Sequence, residues 1–229
     1  MQQMKTMSLA VAVLAAAACG NENAKSQKLT DPQIAGVLGS LDQSEVTVAQ
    51  GALPVLQADA ARRFAQMMID QHSASKQEVS QVLSQQGLSP ESSPLSQAID
   101  RNAGALVSQL TDPEAAQVDL GYANSQVSAH QQALTLIDCV ILADASNATL
   151  KSTVSDKVRP MVATHLGDAN ALVTELNSPA TPDGGTDGGS VLSQLGQGAT
   201  GDTADCSNLC TRSTEGGPLP EEYRLAACK

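Results

Sequence analysis

The sequence predicts an all-α fold, an antiparallel four-helix bundle with an extra short helix between the second and third long helices. Two observations lead to this prediction. Four long segments between residues 31 and 176 repeat apolar side chains at the spacing of one helix face. The 229 residues include one Phe, two Tyr and no Trp. The core must therefore consist of small aliphatic side chains, which suit closely packed helices better than a sheet sandwich.

The first helix is predicted to begin at Asp31-Pro32, where an N-cap residue precedes a proline at the first helical position. Pro54 marks a kink or an early stop. At about 100° per residue, six side chains fall on one stripe. They are Ile34, Leu38, Leu41, Glu45, Ala52 and Leu56.

The second helix is predicted from Asp59 to Gln86, with Gly87 as the residue that ends it. Pro90 and Pro94 then interrupt the helical pattern, and a shorter helix is predicted over Leu95 to Leu110. The stripe of the second helix comprises Ala61, Ala65, Met68, His72, Val79 and Leu83.

Two further long helices are predicted in the second half of the domain. Asp112-Pro113 repeats the cap signature and opens a third helix that runs to about Ala143. The fourth runs from about Asn147 to Leu176, with a kink at Pro160. The stripe of the third comprises Ala123, Val127, His130, Leu134, Ile137 and Ile141. The stripe of the fourth comprises Val154, Val158, Met161, His165, Ala169, Leu172 and Leu176.

The N-terminus resembles an export signal. Residues 1–18 carry Lys5 and then an apolar run from Ser8 to Ala18 that is short for a membrane span. The sequence Ala-Ala-Ala-Cys then favours cleavage before Cys19 and lipidation of that residue, with residues 19–30 as a polar tether. Ordinary cleavage after Ala18, which would release a soluble protein, is the alternative.

This reading predicts a bacterial cell-envelope protein that is anchored to the membrane through its lipid. Gly20 favours the outer membrane, with the protein facing the periplasm. Removing Lys5 changes the formal net charge from −11 to −12. So acidic a chain is not expected to bind nucleic acid. The sequence does not identify a protein partner.

Three parts follow the signal and its tether. Residues 31–177 form the helical domain, residues 178–205 a flexible Gly-rich linker, and residues 206–229 a cysteine-containing tail. Cys139 lies about 180° around its helix from His130 and should face outward. We therefore expect one tail cysteine to form a disulfide with Cys139 in an oxidising compartment, although a zinc site is an alternative. The tail candidates are Cys206, Cys210 and Cys228.

The most specific chemical hint is that each long helix carries one metal-ligand residue on its apolar stripe. These residues are Glu45, His72, His130 and His165. Counted from the two hairpin turns at 1.5 Å per residue, the members of each pair lie within roughly 5 Å of a common depth. Three imidazoles and one carboxylate suit Zn²⁺, Cu²⁺ or Fe²⁺.

Two neighbouring residues could support such a centre. Asp168 is predicted to orient the imidazole of His165 or to serve as an extra ligand. Met68 lies one turn before His72 and would favour copper if it coordinated. In the competing interpretation, Glu45 pairs with a buried histidine, and the polar layer only fixes the register of the helices.

Three stretches, residues 62–79, 122–138 and 159–172, resemble the bacterial domain-of-unknown-function family 4142. The matching residues are Phe64, Ala65, Met68, Asp70, His72, Tyr122, Ala129, His130, Pro160, His165 and Leu166. The resemblance covers about residues 31–176 and implies a ferritin-like bundle that is commonly exported. Val118 and Arg159 stand where the family often has Phe and Leu. The linker and the tail lie outside the pattern, and the family carries no settled activity.

A ferritin-type di-iron oxidase is excluded, because no glutamate in the chain has a histidine three residues later. No phosphate-binding loop or nucleophile elbow appears either, and no catalytic residue is predicted. The sequence favours a cell-envelope lipoprotein with a structural or interaction role. The alternative is a transition-metal-binding or stress-related protein that uses the Glu/His layer.

Overall fold

The computed structural model describes residues 28–112, 114–115 and 117–178, together with Cys206 and Tyr223. The predicted signal, Cys19, nearly all of the linker, Cys210 and Cys228 lie outside the described residues.

All the described secondary structure is helical. Helix α1 is Asp31–Ala52, α2 is Asp59–Gln85 and α3 is Pro94–Leu110. Helix α4 comprises Val118–Leu136, a π-helical turn at Ile137–Ile141, and Leu142–Asp144. Helix α5 comprises Ala148–Thr153, a π-helical turn at Val154–Val158, and Arg159–Asn177. Helix α1 packs against α2 and α3, and α4 packs against α5. The all-α prediction is confirmed.

The core consists of two apolar clusters with a polar layer between them. The first cluster includes Leu38, Val79, Ile99, Ile137 and Val158. The second includes Ala49, Phe64, Met68, Tyr122 and Leu172. Six buried polar side chains interrupt the apolar positions of α1, α2, α4 and α5, and we call them the polar layer. They are Asp42, Glu45, His72, His130, His165 and Asp168.

The observed starts of two helices correct the prediction. Thr30, not Asp31, caps α1, because its side chain accepts the Gln33 amide hydrogen while the Gln33 side chain accepts the Thr30 amide hydrogen. The helix predicted from Asp112 begins six residues later, at Val118. The Asp112 carboxylate instead accepts the amide hydrogen of Glu114 in a local turn.

The two internal prolines have different effects. Helix α1 ends before Pro54, which therefore acts as a stop. Helix α5 continues through Pro160, and the π-helical turn Val154–Val158 ends two residues before it. Proline lacks the amide hydrogen that continues an α-helix, and an irregular turn accommodates this loss. The predicted end of α2 is confirmed, since Gly87 has a φ of 67°.

At each end of the helical domain, an aspartate accepts hydrogen bonds from the backbone of a neighbouring helix connection. Asp31 accepts hydrogen bonds from the amides of Ser146 and Asn147, in the turn between α4 and α5. At the other end, Asp119 accepts the amide hydrogens of Gln57 and Ala58.

Two further contacts involve neighbouring residues near the end of α4. Arg159 forms a two-point ion pair with the half-buried Asp138, with N–O distances of 2.7 and 3.0 Å. Cys139 forms a disulfide with Cys206, and their Cα atoms are 5.4 Å apart. The predicted bond between Cys139 and a tail cysteine is thus present. Cys139 does not face fully outward as expected, because it is half-buried against the first cluster.

Within the described part of the chain, no helix combines the length and the hydropathy that a membrane crossing requires.

Candidate metal centre

Three histidines meet in the middle of the domain, one each from α2, α4 and α5. Each of His72, His130 and His165 offers one ring nitrogen, and these three atoms all lie within 4.8 Å of one another. The centroids of the rings are 4.9 to 5.8 Å apart, and all three residues are buried. The structure thus brings together the three histidines that the apolar stripes had indicated.

A buried carboxylate on α1 orients His72. The Nδ1 atom of His72 lies 2.9 Å from Oδ1 of Asp42, whose other oxygen accepts a hydrogen bond from Ser75. An ionised carboxylate can only accept, so Nδ1 of His72 carries the hydrogen. In the neutral ring, Nε2 then has a free lone pair, as in the carboxylate–histidine pairs of metal sites.

His130 is oriented by the backbone of its own helix. Its Nδ1 atom lies 2.8 Å from the carbonyl oxygen of Gln126 and must therefore donate a hydrogen. The Nε2 atom of the neutral ring is again an acceptor. Nε2 is buried and has no hydrogen-bond partner among the described residues.

His165 contacts a glutamine and another histidine. Its Nε2 atom lies 2.6 Å from Oε1 of Gln71, and its Nδ1 atom lies 3.1 Å from Nε2 of His72. If Nε2 of His165 donates to Gln71, Nδ1 of the neutral ring is an acceptor that faces a second acceptor. Two facing lone pairs repel unless a cation lies beside them or one of the rings carries an extra proton.

The surroundings hold two of these rings in the neutral form. Burial lowers the pKa of His130, although the charge of Glu45 partly opposes this effect. Burial, together with the neighbouring His130 and His72, lowers the pKa of His165 to about 2. Both rings are therefore neutral at pH 7, which is the form that binds metals.

Glu45 lies beside this group rather than within it. It is buried, and its Oε2 atom has no hydrogen-bond partner among the described residues. A buried cavity of about 20 Å³ is lined by Glu45, Asp42, His72 and His130 together with apolar side chains. A space of this size can hold one water molecule or ion.

Neither predicted supporting residue contacts a ring nitrogen through a hydrogen bond. Asp168 is buried, and burial raises its pKa, but the hydrogen-bond partners of His165 are Gln71 and His72. Met68 is fully buried in the second apolar cluster. The orienting role expected of Asp168 belongs to Asp42, Gln71 and the backbone of Gln126 instead.

Sequence reasoning missed Asp42, Gln71 and Gln126. Asp42 stands one helical turn before Glu45 on α1, between Leu41 and Val46. The sequence signal for it was therefore a second acidic residue beside the apolar stripe. Gln126 stands one turn before His130 in the same way. No sequence pattern indicated Gln71, because it directly precedes His72 and so does not share the apolar stripe of α2. In the structure it is exposed.

Other buried polar atoms on α4 lack partners among the described residues. The Tyr122 hydroxyl and both polar side-chain atoms of Gln126 belong to this group. Burial, assisted by the charge of Glu45, raises the pKa of Tyr122 and keeps its hydroxyl neutral. Tyr122, Gln126 and His130 are each four residues apart, so they follow one face of α4.

Comparison with known proteins gives a family but no activity. Residues 15–172 match the family described as Domain of unknown function (DUF4142). No curated protein matches the chain, and no solved structure matches it.

Proposed function

The chain belongs to the DUF4142 family, and we propose from the chemistry of its core that the domain binds one transition-metal ion through His72, His130 and His165. The observation that carries this proposal is the convergence of one ring nitrogen from each histidine within 4.8 Å. In each ring, the other nitrogen contacts an oxygen that accepts a hydrogen bond. That pattern leaves one lone pair per ring for the metal.

The donor set favours certain metals over others. Neutral imidazoles suit Zn²⁺, Cu²⁺ and Fe²⁺, whereas Ca²⁺ and Mg²⁺ prefer oxygen ligands. Glu45 is the proposed fourth ligand, since its side chain lines the same small cavity as His72 and His130 and its Oε2 atom has no partner among the residues described. Burial of an ionised carboxylate is costly without a partner, and a bound cation would supply one.

The proposed centre is mononuclear. Ferritin-type di-iron chemistry requires two Glu-x-x-His pairs and further glutamates, and the chain contains no such pair. Binding or storage of a single ion, or a stress-related role that depends on it, remains compatible with this ligand set.

The order of the apolar clusters supports a ferritin-like antiparallel arrangement. Helix α1 runs from the first cluster through the polar layer to the second, and α2 runs back. Helix α3 has residues in both clusters, so it returns the chain along the domain between the two hairpins. Helix α4 then runs from the second cluster to the first, and α5 reverses this direction. We propose a four-helix bundle of α1, α2, α4 and α5, with α3 as the additional helix.

We further propose that this bundle lies in the bacterial cell envelope. It would be anchored through lipidated Cys19 after removal of residues 1–18, and it would face the periplasm from the outer membrane. The disulfide between Cys139 and Cys206 supports an oxidising compartment.

A structural role for the polar layer is the second candidate. Asp42, His72, His165 and Gln71 form a continuous chain of close polar contacts. One extra proton on His72, or a reversed Gln71 amide, would complete that chain without a metal. This arrangement leaves Nε2 of His130 and Oε2 of Glu45 without partners among the described residues, which is why metal binding is the favoured function.

Elemental analysis of protein purified without a His tag tests the proposal. We expect about one metal ion per chain after supplementation with copper, zinc or iron, and its loss in His130→Ala. Cys210→Ser/Cys228→Ser is the matched control, because tail thiols could also bind metals. Metal that is lost in the cysteine variant and retained in His130→Ala would contradict a histidine centre.

A further inference from the structure

We propose that a surface cavity between α2 and α5 is the route by which a hydrated divalent transition-metal ion reaches the three histidines, with Val158 as the barrier at its inner end. This inference rests on the proposed metal-binding function.

The surface cavity has a volume of about 250 Å³ and carries oxygen donors that suit a hydrated cation. Its lining includes Gln71, Ser75 and Glu78 from α2, and Thr153, Lys157 and Val158 from α5. Hydroxyl, amide and carboxylate oxygens can replace the water ligands of an ion one at a time.

Two residues of this lining touch the groups that hold the histidines. The Oε1 atom of Gln71 lies 2.6 Å from Nε2 of His165. Ser75 donates a hydrogen bond to Asp42, which in turn holds His72. Gln71 therefore connects the lining of the surface cavity directly to the ring of His165. Ser75 connects the lining to the ring of His72 through Asp42.

Val158 separates the surface cavity from the buried one. It lines the 250 Å³ cavity and also the 20 Å³ cavity beside Glu45, His72 and His130. It is the last residue of the π-helical turn Val154–Val158. Such turns are locally irregular and often occur at functional sites. Pro160 follows two residues later and cannot continue the α-helical hydrogen bonding there.

An ion pair lies at the outer part of the same cavity. Lys157 contacts the carboxylate of Glu78, and both side chains are about half-exposed. While the pair is formed, the lysine neutralises the carboxylate that would attract a cation. When the pair opens, Glu78 offers the first charged oxygen on the path, so we expect the pair to slow metal uptake.

The barrier is tested by the rate of Co²⁺ uptake into the metal-free full chain, followed by stopped-flow visible absorption. Val158→Ala should accelerate uptake about tenfold, equivalent to roughly 1.4 kcal/mol of barrier, with unchanged final stoichiometry. Val158→Phe should slow uptake. Val162→Ala is the matched control, because Val162 lines the buried cavity without lining the surface cavity.

The ion pair is tested in the same assay. Lys157→Gln should accelerate uptake several-fold at low salt, and the gain should shrink as ionic strength rises. Lys76→Gln removes the same charge from α2, where Lys76 contacts Gln43 rather than Glu78, and it should leave the rate near that of the wild type.

The outcomes separate this route from the proposed function. Equal uptake rates in the wild type, Val158→Ala and Val158→Phe, with normal final occupancy, would overturn the route and leave metal binding standing. Equal acceleration by Val162→Ala would also overturn it, because general loosening of the core would explain the gain. If the wild type takes up no Co²⁺, Zn²⁺ or Cu²⁺ at equilibrium, both proposals are wrong.

Discussion

Nε2 of His72 and Nδ1 of His165 lie 3.1 Å apart in the core, although the other nitrogen of each ring already contacts an oxygen acceptor. Asp42 holds His72 and Gln71 holds His165. With the Gln71 oxygen in this orientation, the two facing nitrogens need a shared proton or a cation. A separation near 3 Å is also compatible with two nitrogens on one metal at the usual distance of roughly 2.0–2.1 Å from each.

The orienting role of Asp42 gives the first prediction. Asp42→Asn should weaken Zn²⁺ binding by about 10-fold to 100-fold, because the uncharged amide supports the His72 ring less strongly. Competition with a chromogenic chelator measures the affinity. Asp70→Asn is the control, since Asp70 is an exposed carboxylate on α2, the helix of His72, and accepts a hydrogen bond from the exposed Gln66. Equal losses in the two variants would count against a specific role for Asp42.

The unpartnered amide of Gln126 gives the second prediction. Gln126→Leu should raise the free energy of unfolding of the metal-free protein by about 1–2 kcal/mol, because it removes a buried amide that has no hydrogen-bond partner in the described part of the chain. Urea unfolding measures this change. Gln131→Leu alters an exposed position on the same helix and should change stability much less. A large loss of stability in Gln126→Leu would mean that the amide has partners in solution.

The third prediction concerns pH and the metal-free protein. Burial lowers the pKa values of His130 and His165, so below the unfolded value of about 6.5 the unfolded chain binds more protons than the folded one. The contribution of these two histidines to the free energy of unfolding should therefore be fully present above pH 6.5 and be lost as the pH falls below that value. The loss should approach about 3 kcal/mol per pH unit when both histidines contribute.

Urea unfolding at pH 7.5 and pH 5.5 tests this dependence. The variant His130→Gln/His165→Gln should show a much shallower decline over the same range. A wild-type stability that does not change between the two pH values would contradict the burial of neutral histidines.

The disulfide gives the fourth prediction. Cys139→Ser should lower the free energy of unfolding by about 2–4 kcal/mol, since the bond closes a long loop between residues separated by 67 positions. Cys206→Ser should cost the same, and the double variant should cost no more than either single one. Cys210→Ser is the control. Additive losses, or a non-reducing peptide map with four free thiols, would contradict the pairing.

Much of the fold was predictable because the apolar stripes are regular. The stripes identified His72, His130 and His165 as residues of one core, and Asn147 and Gly87 correctly marked helix boundaries. The start of α4 was not predictable from Asp112. The same Asp-Pro pair can cap a helix or close a local turn, and the tertiary contact of Asp119 with the α1–α2 connection accompanies the later start.

The supporting residues of the site were less predictable. Asp42 lies about 60° from Glu45 around α1, so the helical pattern alone placed it at the edge of the stripe. Gln71 reaches His165 from an exposed position on a neighbouring helix, which only the relative placement of α2 and α5 determines. The π-helical turns depend on hydrogen bonds five residues apart and leave no clear sequence pattern.

The most direct test of the metal centre is a nitrogen-15 NMR spectrum of the imidazole rings with and without one equivalent of Zn²⁺. The chain has three histidines in all, so every signal reports on the centre. We predict that all three rings shift together at one equivalent, with Nε2 of His72, Nε2 of His130 and Nδ1 of His165 as the coordinating atoms. Unchanged imidazole signals in the presence of Zn²⁺, in a folded protein, would contradict the account.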